Sequence, residues 1–395
     1  MSQDAPDTIG RRVARARKLR GLTQHGLAGR SNYSRSLIAQ VEAGHKAPTG
    51  AFVAAMSAAL GVDPARLYGQ PFQEETEPDR AVYAPLSEIR RVLTVTDVAP
   101  DLDGPPRPIA ALAAELATAQ RLRHASQHAK LGARLPALLA ELMWHAYEED
   151  EPSAWRMLHT AHSITASLTR RLGFTDLASM VQERSAVSAL RSQDPHLPLM
   201  VTHRRALLMM AVAAWAPAVK LLRRSMAQVD LSRADAVEVL GSLHLRAAIV
   251  SARNGDASSA WEHFGQAEEV SERAGRPSLD EHGTDFNPGN LVIHGAAISA
   301  ELRDYDDATR RDARISKAML VSLAPERRAH HGIDMARVRM ELGDRRQALE
   351  RLLTAEKDAP QMVRYHPMAR ATARCLADSH RDVPERLRGL LTRMG

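Results

Sequence analysis

Seventeen histidines and one cysteine, Cys375, are the side chains of this 395-residue chain best suited to ligate a metal or act as a nucleophile. His124 and His128 stand four residues apart, and His159 and His162 three, so each pair shares a helical face and has a spacing that can ligate zinc. Neither pair has a third ligand close by, whether a Cys or the Glu of an H-E-x-x-H run. Both read as surface pairs on an arginine-rich polar face, and no metal is expected. Cys375 lacks the motif of a nucleophile and reads as a buried structural thiol in a terminal helix. The sequence contains no Gly-rich phosphate loop, Walker lysine or nucleophile elbow, so no cofactor and no enzyme activity are expected.

The chemistry that remains is charge. Residues 9–46 carry nine basic side chains and a single acidic one, Glu42, for a net +8; the whole chain sums to +6, which leaves −2 for everything else. A compact unit of that charge is the footprint of a protein that neutralises phosphates, the plainer alternative being a solvated charged face. Lysine supplies only six of the 53 basic residues, a skew that points to a GC-rich bacterial genome.

The elements that position these charges are helices. Strand-favouring aromatics are scarce while Ala, Leu and Arg abound, so the chain is expected to be all-α. With 44% hydrophobic and 25% charged residues it reads as a folded soluble protein. One cysteine excludes an internal disulfide framework, and neither a signal segment nor a membrane-spanning apolar run is apparent. The expected location is the cytoplasm, at the nucleoid, with no membrane partner.

In residues 9–20 Ile9, Val13, Ala16 and Leu19 form one helical stripe. Thr23 fits an N-cap for a short helix over 24–29, Ser31-Asn32 interrupts it, and Ser34 caps a helix over 35–43 that stops at Gly44. On that last helix Leu37, Ile38 and Val41 can face inward, leaving Arg35, Ser36, Ala39 and Gln40 on the other side. Two helices joined so tightly form a helix-turn-helix.

The residues LTQ at 22–24, LA at 27–28, SRSLIAQVEAG at 34–44, Pro48 and ALGVDP at 59–64 resemble the Xre/Cro/repressor family over about residues 9–69. The resemblance implies a five-helix domain that binds double-stranded DNA. It also implies roles for single residues: Gln24 on a phosphate at a helix N-terminus, Arg35, Ser36 and Gln40 on base edges in the major groove with Ser34 at the start of their helix, and Lys46 on the backbone.

Residues 70–108 change character. Glu74, Glu75, Glu77 and Asp79 form an acidic patch, and seven prolines break any long helix, so this reads as a linker with one short helix over 86–95. Beyond it, alanines twelve residues apart recur at 125/137, 166/178, 206/218, 248/260, 296/308 and 336/348. Five residues before each second alanine stands Gly132, Gly173, Ala213, Gly255, Arg303 or Gly343, mostly the small residue that a turn between two helices wants. The register predicts stacked helical hairpins with an insertion near 276–286. The alternative is an irregular bundle of unrelated helices.

The unit at 343–360 resembles the tetratricopeptide repeat, with Ala348, Leu352, Ala355 and Pro360 at its small, large, small and helix-ending positions. That resemblance implies a concave face lined by Ser163, Ser167, Arg170, His203, Leu207, Met210, Leu245, Ile249, Asn290, Ile293, His330, Arg337 and Met340, a mixture suited to a small amphiphilic molecule or a peptide. Asn290 and His294 lie one turn apart at a helix start and are further ligand candidates; the plainer reading has Asn287 capping a turn and Asn290 the helix.

Residues 1–69, 70–108 and 109–395 thus read as DNA-binding domain, linker and tetratricopeptide-like sensor or dimerisation domain. The order resembles actinobacterial Xre-type transcriptional regulators, including FNPGNLVIHGAAISAEL at 286–302 and RAHHGIDMAR at 328–337, and by architecture it is similar to the peptide-sensing regulators of Gram-positive bacteria. It implies a homodimer on a near-palindromic operator, a small-molecule or peptide effector, and a setting in secondary metabolism or development. Two other readings stay open: a scaffold whose repeats recruit a protein partner to DNA, and an antitoxin-like regulator.

Overall fold

The computed structural model describes residues 7–72, 76–95, 97–274 and 280–395, and among them every regular element is a helix. The first five are α1 (Ile9–Leu19), α2 (Gln24–Ser31), α3 (Arg35–Glu42), α4 (Gly50–Leu60) and α5 (Pro64–Tyr68). Each opens on a side-chain cap, Thr8, Thr23, Ser34, Thr49 or Asp63, whose oxygen accepts a backbone N–H that the first turn would otherwise leave unsatisfied. Asn32 ends α2 in the left-handed region at φ 55°, which lets α3 leave at an angle. Val13, Leu27, Ile38, Val41, Phe52, Val53 and Met56 are buried together beneath them. Gly10 allows the crossing of α1 over α3, because a Cβ there would lie 1.9 Å from the Val41 carbonyl oxygen.

The stretch expected as a linker is in large part core. It carries two helices rather than one, α6 (Glu77–Tyr83) and α7 (Pro85–Thr94). Pro78 and Pro85 fall in the first turns of those helices, where a missing N–H costs nothing, so they start helices instead of breaking them. Tyr83, Leu86, Ile89 and Leu93 are buried with residues of the next four helices in one cluster. Of the acidic patch, Glu74 and Glu75 lie outside the described residues. Asp79 is buried, held by Arg364 at 2.9 Å and by the Tyr365 hydroxyl at 2.6 Å.

The body then runs as helical hairpins: α8 (Ile109–His124) with α9 (His128–Glu148), α10 (Pro152–Arg171) with α11 (Thr175–Arg191), α12 (Leu197–Ala211) with α13 (Trp215–Met226), α14 (Ala236–Arg253) with α15 (Ala257–Ala274), and α16 (Pro288–Glu301) with α17 (Tyr305–Asp312). After α18 (Lys317–Ser322) come α19 (Pro325–Glu341) with α20 (Arg345–Asp358), the short α21 (Pro360–Tyr365), and α22 (Pro367–Asp378) with α23 (Glu385–Met394).

The alanine register reports five of these hairpins. From Ala166/Ala178 to Ala336/Ala348 every alanine is buried, and the turn residues Gly173, Ala213, Gly255, Arg303 and Gly343 all have positive φ, between 59° and 90°. The sixth pair fails. Ala137 is exposed, Gly132 sits inside α9, and the turn of that hairpin is made by Ser126 at φ 52°. Gly132 is small for a different reason: it lies against Pro85, whose Cγ would be 3.3 Å from an added Cβ. The expected insertion lies partly outside the described residues; its described end, 280–286, brings Phe286 over Gly241, where a Cβ would come within 2.1 Å of the ring. No described helix is long and apolar enough to cross a membrane.

Candidate DNA-reading edge and inner cavity

The sequence of α3 alternates inward and outward residues at helical spacing, and the fold resolves them accordingly. Ile38 and Val41 are buried and Leu37 packs partly against the same core. Ser34, Arg35, Ser36 and Gln40 are exposed on the outer face. Ser34 spends its hydroxyl on capping, accepting from the Leu37 N–H at 3.2 Å, and Gln40 leans on Ser36 at 3.4 Å. Arg35 makes no ion pair among the described residues, so an exposed guanidinium and an exposed amide stand five residues apart on the outer face of α3.

A buried tripod fixes the ridge. Glu42 at the end of α3 accepts two hydrogen bonds from Arg17 of α1, both 2.7 Å, and one from the Gln24 amide of α2 at 2.9 Å. Those bonds push the Arg17 guanidinium above its usual range. Gln24 is therefore at a helix N-terminus as expected, but with one amide hydrogen committed to Glu42 and one left over. Lys46 departs from expectation: its ammonium pairs with Glu341 of α19 at 2.7 Å, so a DNA contact from Lys46 requires that pair to open.

Lys46 is one of several contacts between the first five helices and the body. The Arg303 guanidinium lies 5.1 Å from the Tyr33 ring, and Met368 and Ala371 of α22 extend the apolar core under α1–α5. Tyr68, Pro64 and Gly50 form one wall of a cavity of about 290 Å³ whose other walls are inner helices of the body. A second cavity of about 250 Å³ adjoins it, sharing Arg170, Arg171, Leu207, Leu208, Arg246 and Arg327.

Six of the seven predicted ligand residues face these cavities: Ser163 and His203 the smaller, His294 and Arg337 the larger, Arg170 and His330 both. Asn290 does not. It is buried behind the wall, donating to the Thr284 carbonyl at 3.4 Å, and the helix cap there is Asn287, whose side chain accepts from the Asn290 N–H. Of the other expected lining residues, Leu245 is buried in the core behind the wall and Met340 packs with the C-terminal helices.

The histidine pairs also differ from expectation. His128, His159 and His162 are buried rather than on a polar surface, and His124 is partly so. His159 faces the Ser185 carbonyl at 3.1 Å and His162 the Ser188 hydroxyl at 3.2 Å. Burial holds both imidazoles neutral, down to about 3. Among the described residues no group of His, Cys, Asp and Glu is arranged to hold a metal ion.

What sequence reading missed is the arginine content of the inner face: Arg204, Arg246, Arg253 and Arg327. A signal was present. Ile164, Arg204, Arg246, His294 and Asp334 each stand two residues before the first alanine of their pair, and all five line the cavities. Burial, then the Arg171 and Arg253 charges, bring Arg170 down to about 10; burial and Arg123 do the same to Arg204. Glu326 partly offsets this at Arg170 and Glu238 at Arg204, and both guanidiniums keep their protons.

The first five helices define this chain as one that carries a helix-turn-helix, here followed by helical hairpins. A family model described as a helix-turn-helix domain matches residues 8–67. No curated protein matches the chain. Among solved structures, the chain is similar to Bacillus thuringiensis PlcR in its complex with the peptide PapR7 and DNA, at 13% identity and a TM-score of 0.33, over 78% of this chain and 95% of that one.

Proposed function

We propose that the protein is a sequence-specific DNA-binding transcriptional regulator. Its reading head is residues 1–69, and its helical-repeat body senses a small effector in the inner cavity. The observation that carries this reading is the outer face of α3, with Arg35, Ser36 and Gln40 exposed on a ridge fixed from behind by the Glu42 tripod. A short capped helix with that edge fits the major groove, where Arg reads guanine and Gln reads adenine bidentately. The surplus of positive charge on the same domain supplies the salt-dependent part of the affinity. Two such heads in a homodimer would meet half-sites one helical turn apart, as in a near-palindromic operator.

Genomic footprinting followed by gel shifts on the footprinted site tests it. Arg35→Ala and Gln40→Ala are each expected to weaken the specific site by about 1–3 kcal/mol while leaving binding to scrambled DNA in place. Equal affinity of the wild type for footprinted and scrambled DNA refutes the reading.

A further inference from the structure

We infer that the two adjoining cavities form one site for a small, multiply anionic ligand, a molecule bearing phosphate or carboxylate groups, gripped by Arg170, Arg204, Arg246 and Arg327. This deepens the sensing role proposed above, and rests on it only for the consequence to DNA binding.

The cavity walls hold nine arginines against five carboxylates. Three of those carboxylates are already engaged. Glu326 pairs with Arg171 and, at 3.6 Å, with Arg123; Glu301 pairs with Arg253 at 3.3 Å; Asp194 pairs with Arg233 at 3.1 Å and Arg156 at 3.8 Å. Glu281 is exposed at the rim, and Asp334 comes within ion-pair distance of no cation among the described residues.

The four arginines of the proposed grip have no carboxylate within 4 Å among the described residues. The Arg170 guanidinium has no hydrogen-bond partner there at all. Arg246 has only the His203 imidazole at 3.2 Å, Arg204 the carbonyls of Met200 and His282 at 3.3 and 2.8 Å, and Arg327 the Thr284 carbonyl at 3.0 Å. A fifth, Arg337, is 4% exposed with Nη1 unpartnered.

Four partly buried guanidiniums facing one space repel one another, and uncompensated charge out of water is costly. A fold keeps such an arrangement when something of opposite charge completes it. Guanidinium's planar fork matches carboxylate and phosphate oxygens bidentately. Each grip residue comes from a different hairpin, on α10, α12, α14 and α19, so a ligand that neutralises them ties four repeats together. The neutral imidazoles of His203, His294 and His330 add hydrogen-bonding atoms without adding charge. Leu207 and Leu208 supply an apolar floor. Cavities of about 250 and 290 Å³ suit a small molecule, not a nucleic-acid strand. Because Tyr68 and Gly50 belong to the wall, where a Cβ added to Gly50 would lie 3.7 Å from the Arg253 guanidinium, occupancy is felt directly by the reading head.

The test uses the full-length protein, free of DNA, with inorganic phosphate, pyrophosphate, citrate and a tetraglutamate peptide as probes at constant ionic strength. Thermal melting and titration calorimetry are expected to show pyrophosphate or citrate binding at sub-millimolar concentration and raising Tm. The better of the two distinguishes phosphate from carboxylate chemistry, and tetraglutamate binding most tightly would overturn the small-molecule assignment in favour of an acidic peptide.

Arg170→Gln and Arg246→Gln are expected to weaken the anion at least tenfold while raising the Tm of the unliganded protein, whereas Arg273→Gln on the surface of α15 changes neither. As a readout independent of variants, pyrophosphate should protect Arg170 and Arg246 of the wild type from phenylglyoxal, followed by peptide mass spectrometry. No anion response in the wild type, or a response unchanged in both variants and without protection, overturns the proposal. Because every readout is taken without DNA, anion binding in a protein that shows no DNA preference would sink only the regulator reading.

Discussion

Removing the Glu42 carboxylate should unfasten α3 without unfolding the body. Glu42 is where α1, α2 and α3 meet, and the side chains of Arg17 and Glu42 retain only 10% and 7% of their exposure. Glu42→Ala leaves the Arg17 guanidinium with the Leu22 carbonyl at 2.8 Å as its one remaining partner among the described residues, and leaves the Gln24 amide without its acceptor. Losing one member of a fully buried pair costs about 3–5 kcal/mol. This pair lies at the edge of a small domain, where water can reach Arg17 after a slight shift, so a cost of about 2–3 kcal/mol is expected.

Hydrogen exchange read by mass spectrometry isolates the effect, because local opening of one unit is measured against protection elsewhere. Amides of α2 and α3 should exchange roughly thirty- to one-hundred-and-fifty-fold faster in Glu42→Ala, at 1.36 kcal/mol per decade, with α10–α15 unchanged. The double variant Arg17→Met, Glu42→Leu should recover most of the protection, since an apolar pair of similar volume removes the orphaned charge. Unchanged exchange in the single variant, or no recovery in the double, refutes the reasoning.

Three further outcomes follow from contacts already described. Glu341→Gln frees Lys46, so binding to any DNA should strengthen and the slope of log K against log salt steepen by about one unit; an unchanged slope would mean that Lys46 never reaches a phosphate. Gly241→Ala drives a methyl into the Phe286 ring and should cost about 1–3 kcal/mol, visible as a lower calorimetric Tm. Acid should loosen the α10–α11 hairpin. His159 and His162 are held by burial down to about 3, so their contribution is complete above the ordinary histidine value near 6.5 and is lost as pH falls below it, at up to ~1.4 kcal/mol per unit for each residue. A urea midpoint that is the same at pH 7.0 and 5.5 contradicts this.

The helix-turn-helix domain was written almost wholly in local sequence. Thr23, Asn32, Ser34 and Gly44 act through their own backbone neighbours, so their caps and turns need no tertiary partner to be read, and the exposed ridge of α3 follows from helical spacing once Ile38 and Val41 are assigned inward. The hairpin turns were legible for a similar reason, because a residue that must take positive φ is under a local constraint. Ala137 and Gly132 misled because alanine and glycine are also small for other causes.

Tertiary structure alone decided the rest. Pro78 and Pro85 have the same covalent chemistry in a linker as in a helix start, and only burial of Tyr83, Leu86 and Ile89 against the body chooses between them. His159 and His162 have a surface spacing and an interior address. Lys46 pairs with Glu341, almost three hundred residues away, and four arginines spread from 170 to 327 face the same adjoining cavities. Charge acts through space, and no spacing along the chain states which distant carboxylates come close enough to cancel it.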